Sequence, residues 1–311
     1  MSGPTAASGP VPAPSGLLTR TIALVRSGHP GPCLAITTIT VLLAVAARAS
    51  AGSASPHIGV VVAFAFAVLA GQFSIGWSND YLDARRDRAA GRTDKPLAVG
   101  ALRTTTVLAC ALIALLISFG LGLAIGPVTA AWLVPVVGAG WAYNAGLKAT
   151  VLSGLAYVVG FGPIPGLATS ILPGHPLPRP WALAAASLLG LGAHFVNVLP
   201  DLATDRAAGL RGLPHVVAAT ATRGNDGAAG QRRVRLVALA LLLAASALIA
   251  VAPGVPHVAA PARWFAWAGF GAAVLLCGVA SRASGRTPFR CALAIAGIDV
   301  LMFCLAGGAL T

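Results

Sequence analysis

The sequence predicts an all-α integral membrane protein, nine transmembrane helices in a bundle around a central cavity that opens near the cytoplasmic side. Three observations carry the fold class. The 311 residues are 57% hydrophobic and 9% charged, whereas soluble domains carry about 25% charge. Apolar runs recur along the chain, each near the ~20 residues that a helical bilayer span needs. Lys and Arg collect on alternate connections, as they do on cytoplasmic loops.

Taken in order, residues 1–17 are rich in Pro, Ala, Ser and Gly and read as disordered. The domain organisation is a disordered tail over 1–25 and a single nine-helix domain over 26–311. The apolar runs are 31–49, 57–79, 104–124, 128–146, 151–172, 181–200, 234–252, 263–281 and 291–310. No alternating strands of about ten residues, the mark of a membrane barrel, interrupt them. With the N-terminus inside, only Arg48, Arg179 and Arg263 of the 21 Lys and Arg residues fall outside the cytoplasmic segments. That bias places the N-terminus in the cytoplasm and the C-terminus outside. The longest connection, 206–232, contains TATRGNDGAAGQ and reads as a flexible cytoplasmic linker. A competing reading makes Arg20, Arg26, the run to Ala47 and ARASA a signal peptide, whose cleavage would leave eight spans. The long tail ahead of the basic residues argues against it.

Composition also excludes functions. The net charge of +13 invites a nucleic-acid reading, but no basic stretch is large enough to fold outside the membrane. Cys33, Cys110, Cys277, Cys291 and Cys304 form no CxxC pair and sit mostly in apolar runs, so they read as small core residues. The six histidines lack ligand spacing, which argues against a His/Cys metal site.

All eight acidic residues are Asp, and four of them, Asp80, Asp83, Asp87 and Asp94, lie within NDYLDARRDRAAGRTDKPL at the end of the second span. The pattern Asn79-x-x-x-Asp83-x-x-x-Asp87-Arg-Ala-Ala-Gly recurs as Asn197-x-x-x-Asp201-x-x-x-Asp205-Arg-Ala-Ala-Gly. Both copies end even-numbered spans, so both face the cytoplasm. Residues at i, i+4 and i+8 share a helical face, so each copy lines polar groups along one face toward the helix end. Clustered carboxylates repel, and a hard divalent cation such as Mg²⁺ relieves this with oxygen ligands, completing its shell with substrate phosphate. Arg85, Arg86, Arg88, Arg92 and Lys95 surround the first copy and can hold phosphate oxygens.

These residues also carry a resemblance. NDYLDARRD resembles the first motif, NDxxDxxxD, of the UbiA-type intramembrane prenyltransferase superfamily. DLATD, with Gly209 and the following LP, resembles the second motif, DxxxD. RTDKPLAVG resembles the basic, proline-containing stretch after the first motif, and YNAGLK resembles the Tyr-x-x-x-x-Lys element before the fifth helix. The resemblance runs from about residue 25 to the end, and the family's nine helices match the span count. It implies transfer of a prenyl group from an isoprenyl diphosphate, held by Mg²⁺, to an acceptor, with an aromatic or quinone precursor as the expected acceptor class. By position, Asp83, Asp87, Asp201 and Asp205 become the catalytic metal ligands. Asn79, Asp80, Arg92, Lys95, Tyr143, Lys148 and Asn197 become the diphosphate-binding residues. Bilayer lipid surrounds the chain, and nucleic acid has no part.

Two other functions fit the same residues: a related membrane cyclase, which needs no acceptor, and a cation transporter built on the repeat. Transporter sites lie near the midplane on broken helices, whereas these acids sit at helix ends beside arginines. Asp299, in the middle of the last span, is either a cavity residue or paired with a helix neighbour. His194 reads more simply as a satisfied bundle histidine. Trp77 and Trp141 read as interfacial anchors. Gly160, Gly162, Pro163 and Pro165 suggest a kink or close packing in the fifth span.

Overall fold

The computed structural model describes residues 16–50, 57–207, 209–219, 227–252, 260–283, 286–305 and 310. Within them the secondary structure is helical, without strands: α1 (Leu17–Ser27), α2 (Pro30–Ser50), α3 (Ile58–Ala89), α4 (Thr104–Ile125), α5 (Pro127–Asn144), α6 (Ser153–Phe161), α7 (Ile164–Thr169), α8 (Pro180–Val198), α9 (Leu202–Ala207), α10 (Leu213–Ala219), α11 (Gly227–Val251), α12 (Ala260–Arg282) and α13 (Thr287–Leu305). Prolines open α5 and α8, where the missing N–H removes a donor that has no partner anyway.

Seven of these helices, α2, α3, α4, α8, α11, α12 and α13, are long and apolar enough to cross a membrane. The expected fourth span corresponds to α5, whose 18 residues end in the less apolar WAYN. The expected fifth is divided: α6 stops at Phe161 and α7 starts at Ile164. Gly162 and Pro163 fall at this break, which accounts for the kink that the sequence suggested. Residues 1–15 lie outside the described residues. From Leu17 the expected disordered tail is instead a helix, α1, in which Leu17, Leu18, Ile22 and Val25 stay exposed between Arg20 and Arg26. Many larger apolar side chains face outward elsewhere, among them Leu116, Leu123, Trp264 and Leu275. An apolar exterior on this scale is the surface that lipid, not water, solvates.

Small residues allow the helices to approach. A Cβ on Gly76 of α3 would lie 2.0 Å from the Gly28 carbonyl oxygen, so only glycine lets the α1–α2 joint close on α3. A Cβ on Gly190 of α8 would meet Phe161 at 2.6 Å, which seats α8 against α6. Such small-residue contacts substitute for hydrophobic drive between helices in lipid. One buried cluster gathers Leu43, Phe64, Leu133, Leu167 and Phe303, and a second gathers Phe195, Val234, Leu242 and Ile295.

Polar cross-links tie the helices where the apolar core cannot. Thr129 of α5 and Ser170, just after α7, hydrogen-bond at 2.9 Å. Arg48 at the end of α2 donates to the Ile171 carbonyl at 2.9 Å. Trp77 donates to the Leu24 carbonyl and Trp141 to Ser74 Oγ, so both indoles tie neighbouring helices together. Asp299 accepts a hydrogen bond from Ser246 of α11, which decides between its two readings in favour of a helix neighbour.

Candidate active site

α3 has 32 residues, roughly 48 Å at 1.5 Å per residue, well beyond what a bilayer core spans. Its last turns therefore carry polar side chains past the apolar zone. Asn79, Asp83 and Asp87 follow one another on one face, and Asp80, Asp83 and Asp87 are all buried.

Asp83 is the centre of this face. Lys148, just beyond α5, places Nζ 2.6 Å from both Asp83 carboxylate oxygens. Arg86 approaches Asp83 Oδ2 at 3.1 Å. The Asn79 amide donates to Asp83 Oδ2 and to Asn144 Oδ1, and Asn144 in turn donates to the Ile75 carbonyl and Ser78 Oγ. Asn144 thus clamps the end of α5 to α3 and holds Asn79 toward Asp83.

Asp80 points to a different set of groups. Lys95 Nζ lies 2.6 Å from its Oδ1 and His29 Nε2 lies 2.9 Å from the same atom. His29 sits in the short α1–α2 joint with φ of +54°, uncommon for a non-glycine residue. Asp80 therefore fastens both the N-terminal joint and the loop after α3. Its second oxygen, Oδ2, is buried without a partner.

The second aspartate segment begins where α8 ends. Asn197 is on the last turn of α8, Asp201 is exposed between α8 and α9, and Asp205 is half-buried on α9. His215 of α10 lies 3.8 Å from Asp205. Burial lifts the Asp205 carboxyl above its ordinary value, His215 opposes this, and Asp201 reinforces it. Burial also holds the His215 imidazole below its ordinary value, against the pull of Asp205. Asp205 feels Arg86 and Lys148, and Tyr143 feels both Asp205 and Asp83. The two aspartate segments thus act on one shared set of side chains.

Behind this polar edge is a cavity of about 510 Å³. Tyr143, Asn144, Tyr157 and Asn197 line it on the polar side, and Val136, Phe161, Ile164, Leu242 and Phe289 are among its apolar walls. Tyr157 stacks on Phe161 and on His194. His194 is buried beside the cavity and not among its lining residues; its Nε2 bonds Ser153 Oγ at 2.9 Å, but its Nδ1 is buried without a partner, so the ring is only half satisfied.

Most of the residues expected from the sequence come together: Asn79, Asp83, Asp87 and Lys148 on one side, Asp201, Asp205 and Asn197 on the other, with Tyr143 between. Asp80 and Lys95 bind each other beside them. Arg92 lies within electrostatic reach of Asp87 and Asp201, but its side-chain bonds are made elsewhere. Its guanidinium makes two 2.8 Å bonds to Asp94, and that pairing holds the exposed Asp94 carboxyl well below the usual carboxylate range. Sequence reading missed Asn144, His29, Tyr157 and His215. Two of them had a local signal: Asn144 lies within YNAGLK beside Tyr143, and His215 directly follows the LP after the second segment.

Among the described residues no three carboxylate or imidazole groups already form a metal cluster. Hard oxygen donors nevertheless suit Mg²⁺, which takes one or two carboxylates per ion and leaves the rest of its shell to phosphate and water. Asp87 fits that use: it is buried and carries no side-chain hydrogen bond within the described residues. Asp83, by contrast, is neutralised by Lys148 and Arg86.

Comparison with known proteins identifies the fold. Solved structures share the fold at low identity. A structure described as concerning digeranylgeranylglyceryl phosphate synthase in membranes has a TM-score of 0.68 at 14% identity, covering 94% of this chain and 99% of its own. A UbiA homologue from Aeropyrum pernix K1 has 0.64 at 20%, covering 86% and 96%. A UbiA homologue from Archaeoglobus fulgidus bound to GPP and Mg²⁺ has 0.61 at 12%, covering 93% and 100%. Among curated proteins, none matches at a significant level. The model of the UbiA prenyltransferase family matches residues 34–303, which takes in both aspartate segments and every cavity-lining residue named above; the chain belongs to the UbiA prenyltransferase family.

Proposed function

We propose that this chain is a Mg²⁺-dependent intramembrane prenyltransferase that moves a prenyl group from an isoprenyl diphosphate to an aromatic or quinone-precursor acceptor. The observation that carries the reading is the pair of aspartate segments facing Lys148 and Arg86 at the mouth of an apolar cavity. The Archaeoglobus fulgidus homologues hold GPP or DMAPP with Mg²⁺, and the family match lends that chemistry to this chain.

In this reading Asp83, Asp87, Asp201 and Asp205 would hold Mg²⁺, whose charge would offset that of the leaving diphosphate. Asn79, Asn197 and Tyr143 offer hydrogen bonds at the same edge. Lys148 and Lys95 supply positive charge for phosphate oxygens, and their present bonds to Asp83 and Asp80 fix where that charge sits. The C–O bond of the donor breaks, diphosphate takes the electron pair, and the acceptor's electron-rich carbon captures the allylic cation and loses a proton. Phe161, Tyr157 and the aliphatic walls keep water from the cation. α5 and the α6–α7 pair complete nine spans, with the N-terminus inside and the C-terminus outside.

The test is incubation of purified protein with labelled isoprenyl diphosphates and Mg²⁺, with and without a panel of aromatic acceptors. A prenylated acceptor is expected. A cyclised hydrocarbon formed from the diphosphate alone would replace the transferase by a cyclase, and undiminished turnover in chelator would remove the metal from the reaction.

A further inference from the structure

A larger cavity, about 910 Å³, lies apart from the aspartate edge. The end of α8, the first turns of α11, Ala283 beyond α12 and the start of α13 enclose it. Four guanidinium groups line it: Arg232 and Arg235 of α11, Arg286 just ahead of α13 and Arg290 in its first turn. None of them pairs with a carboxylate among the described residues. Arg235 is committed to structure, since it donates to the Ala283 and Ser281 carbonyls at the end of α12. Arg232, Arg286 and Arg290 are exposed.

Four like charges around one cavity repel one another, and the repulsion is relieved by an anion. The rest of the lining is apolar: Leu199, Phe289 and Leu293 form part of it. Phe289 and Leu293 also line the cavity behind the aspartates, so the two cavities meet across these two side chains. Pro200, which lines the basic cavity, immediately precedes Asp201, so both sites occupy the same end of the bundle. Cytoplasmic-side basic pockets between membrane helices suit acidic lipid head groups.

We propose that this cavity binds an amphiphile with an acidic head, phosphate or carboxylate. Arg232, Arg286 and Arg290 hold the acid, and the apolar stem lies on Leu199, Phe289 and Leu293. Arginine forks match both acids with paired N–H···O bonds. A bilayer phospholipid and an acidic second substrate share this chemistry.

The test uses the full chain in phosphatidylcholine nanodiscs, loaded either with phosphatidylglycerol or with 4-decyloxybenzoate, and native mass spectrometry of what the released protein retains. The comparison is with the R232Q/R286Q/R290Q variant, whose changes are all at exposed positions. The single Arg286→Gln variant serves as a second reading, with retention weakened by roughly tenfold for the loss of a charge-assisted contact. Melting temperature in detergent is expected to be unchanged. Wild-type protein is expected to keep an acidic amphiphile that the triple variant loses, while both keep phosphatidylcholine equally. Loss of phosphatidylglycerol alone identifies a bilayer lipid as the source, and loss of the benzoate alone identifies a carboxylated substrate. Retention of neither probe by wild type, or equal retention of both by wild type and variant, overturns the proposal.

Discussion

Asp83 shows how much one side chain can be asked to do. It is buried, and two cations and an amide converge on it, an arrangement that would be a costly way to build a mere helix end. Its opposite number Asp201 is exposed and unencumbered by any ion pair among the described residues. The proposed reaction needs both. Asp83→Asn, which keeps the shape and the Asn79 contact, and Asp201→Ala are each expected to lower kcat/KM by about 10²-fold or more, the usual scale for removing a group that stabilises developing charge. Both proteins should still insert; Asp201→Ala should melt near the wild-type temperature, whereas Asp83→Asn, which leaves Lys148 without its carboxylate, should melt lower while remaining folded. Near-wild-type turnover in either would break the two-segment site. Asp94→Asn is the contrasting case: it removes only an exposed pair with Arg92, which is worth little, so turnover should stay within about twofold.

At the level of elements, the helices are held by contacts that tolerate little change. Ser246 of α11 donates to Asp299 of α13, and Asp299 Oδ2 is already without a partner. Ser246→Ala leaves a buried acid with no hydrogen bond at all and is expected to cost about 1–3 kcal/mol, read as a lowered melting temperature in detergent. Ser246→Ala with Asp299→Leu removes both polar partners and should recover most of that loss; a double variant as unstable as the single would mean that the acid has some further role. Gly76→Ala drives a Cβ into the Gly28 carbonyl. The α1–α2 joint must then move away from α3, and His29 with it from Asp80. Overpacking of this kind costs about 1–3 kcal/mol, and a variant that melts like wild type would show that the joint is soft. The sequence made the aspartate repeat and the long helices legible because both depend on spacing along one chain segment. The clamp by Asn144, the stacking of Tyr157 and the approach of His215 to Asp205 were not legible. Each joins residues from separate elements, and nothing in the local pattern says which elements will meet. Arg92 shows the opposite case: its side-chain bonds go to Asp94, two residues away, while Asp87 and Asp201 act on it only through their charge.

For the whole molecule, α5 and the α6–α7 pair differ from the seven longer helices in being less apolar or broken. Their end contacts argue that both cross. α4 leaves the aspartate end of α3 at Thr104, and α5 returns to it: Asn144, its last residue, bonds the Ile75 carbonyl and Ser78. The other end of α5 carries Thr129, which bonds Ser170 beyond α7. α6 starts back at the aspartate end, where Ser153 accepts from the N–H of Leu213, the first residue of α10. The α6–α7 pair thus covers the same depth as α5 in the reverse sense. Nine crossings put Thr150 on the cytoplasmic side with the aspartates and Leu177 outside. If α5 and α6–α7 did not cross, both positions would be outside. The five native cysteines are free, so they can be replaced by Ala and single cysteines introduced by Thr150→Cys or Leu177→Cys. A membrane-impermeant maleimide should label the Leu177→Cys protein in intact cells and the Thr150→Cys protein only after permeabilisation. Labelling of the Thr150→Cys protein from outside would reduce the span count to seven and would place Lys148 on the opposite face of the membrane from the end of α3, a position that its 2.6 Å contacts with Asp83 do not allow.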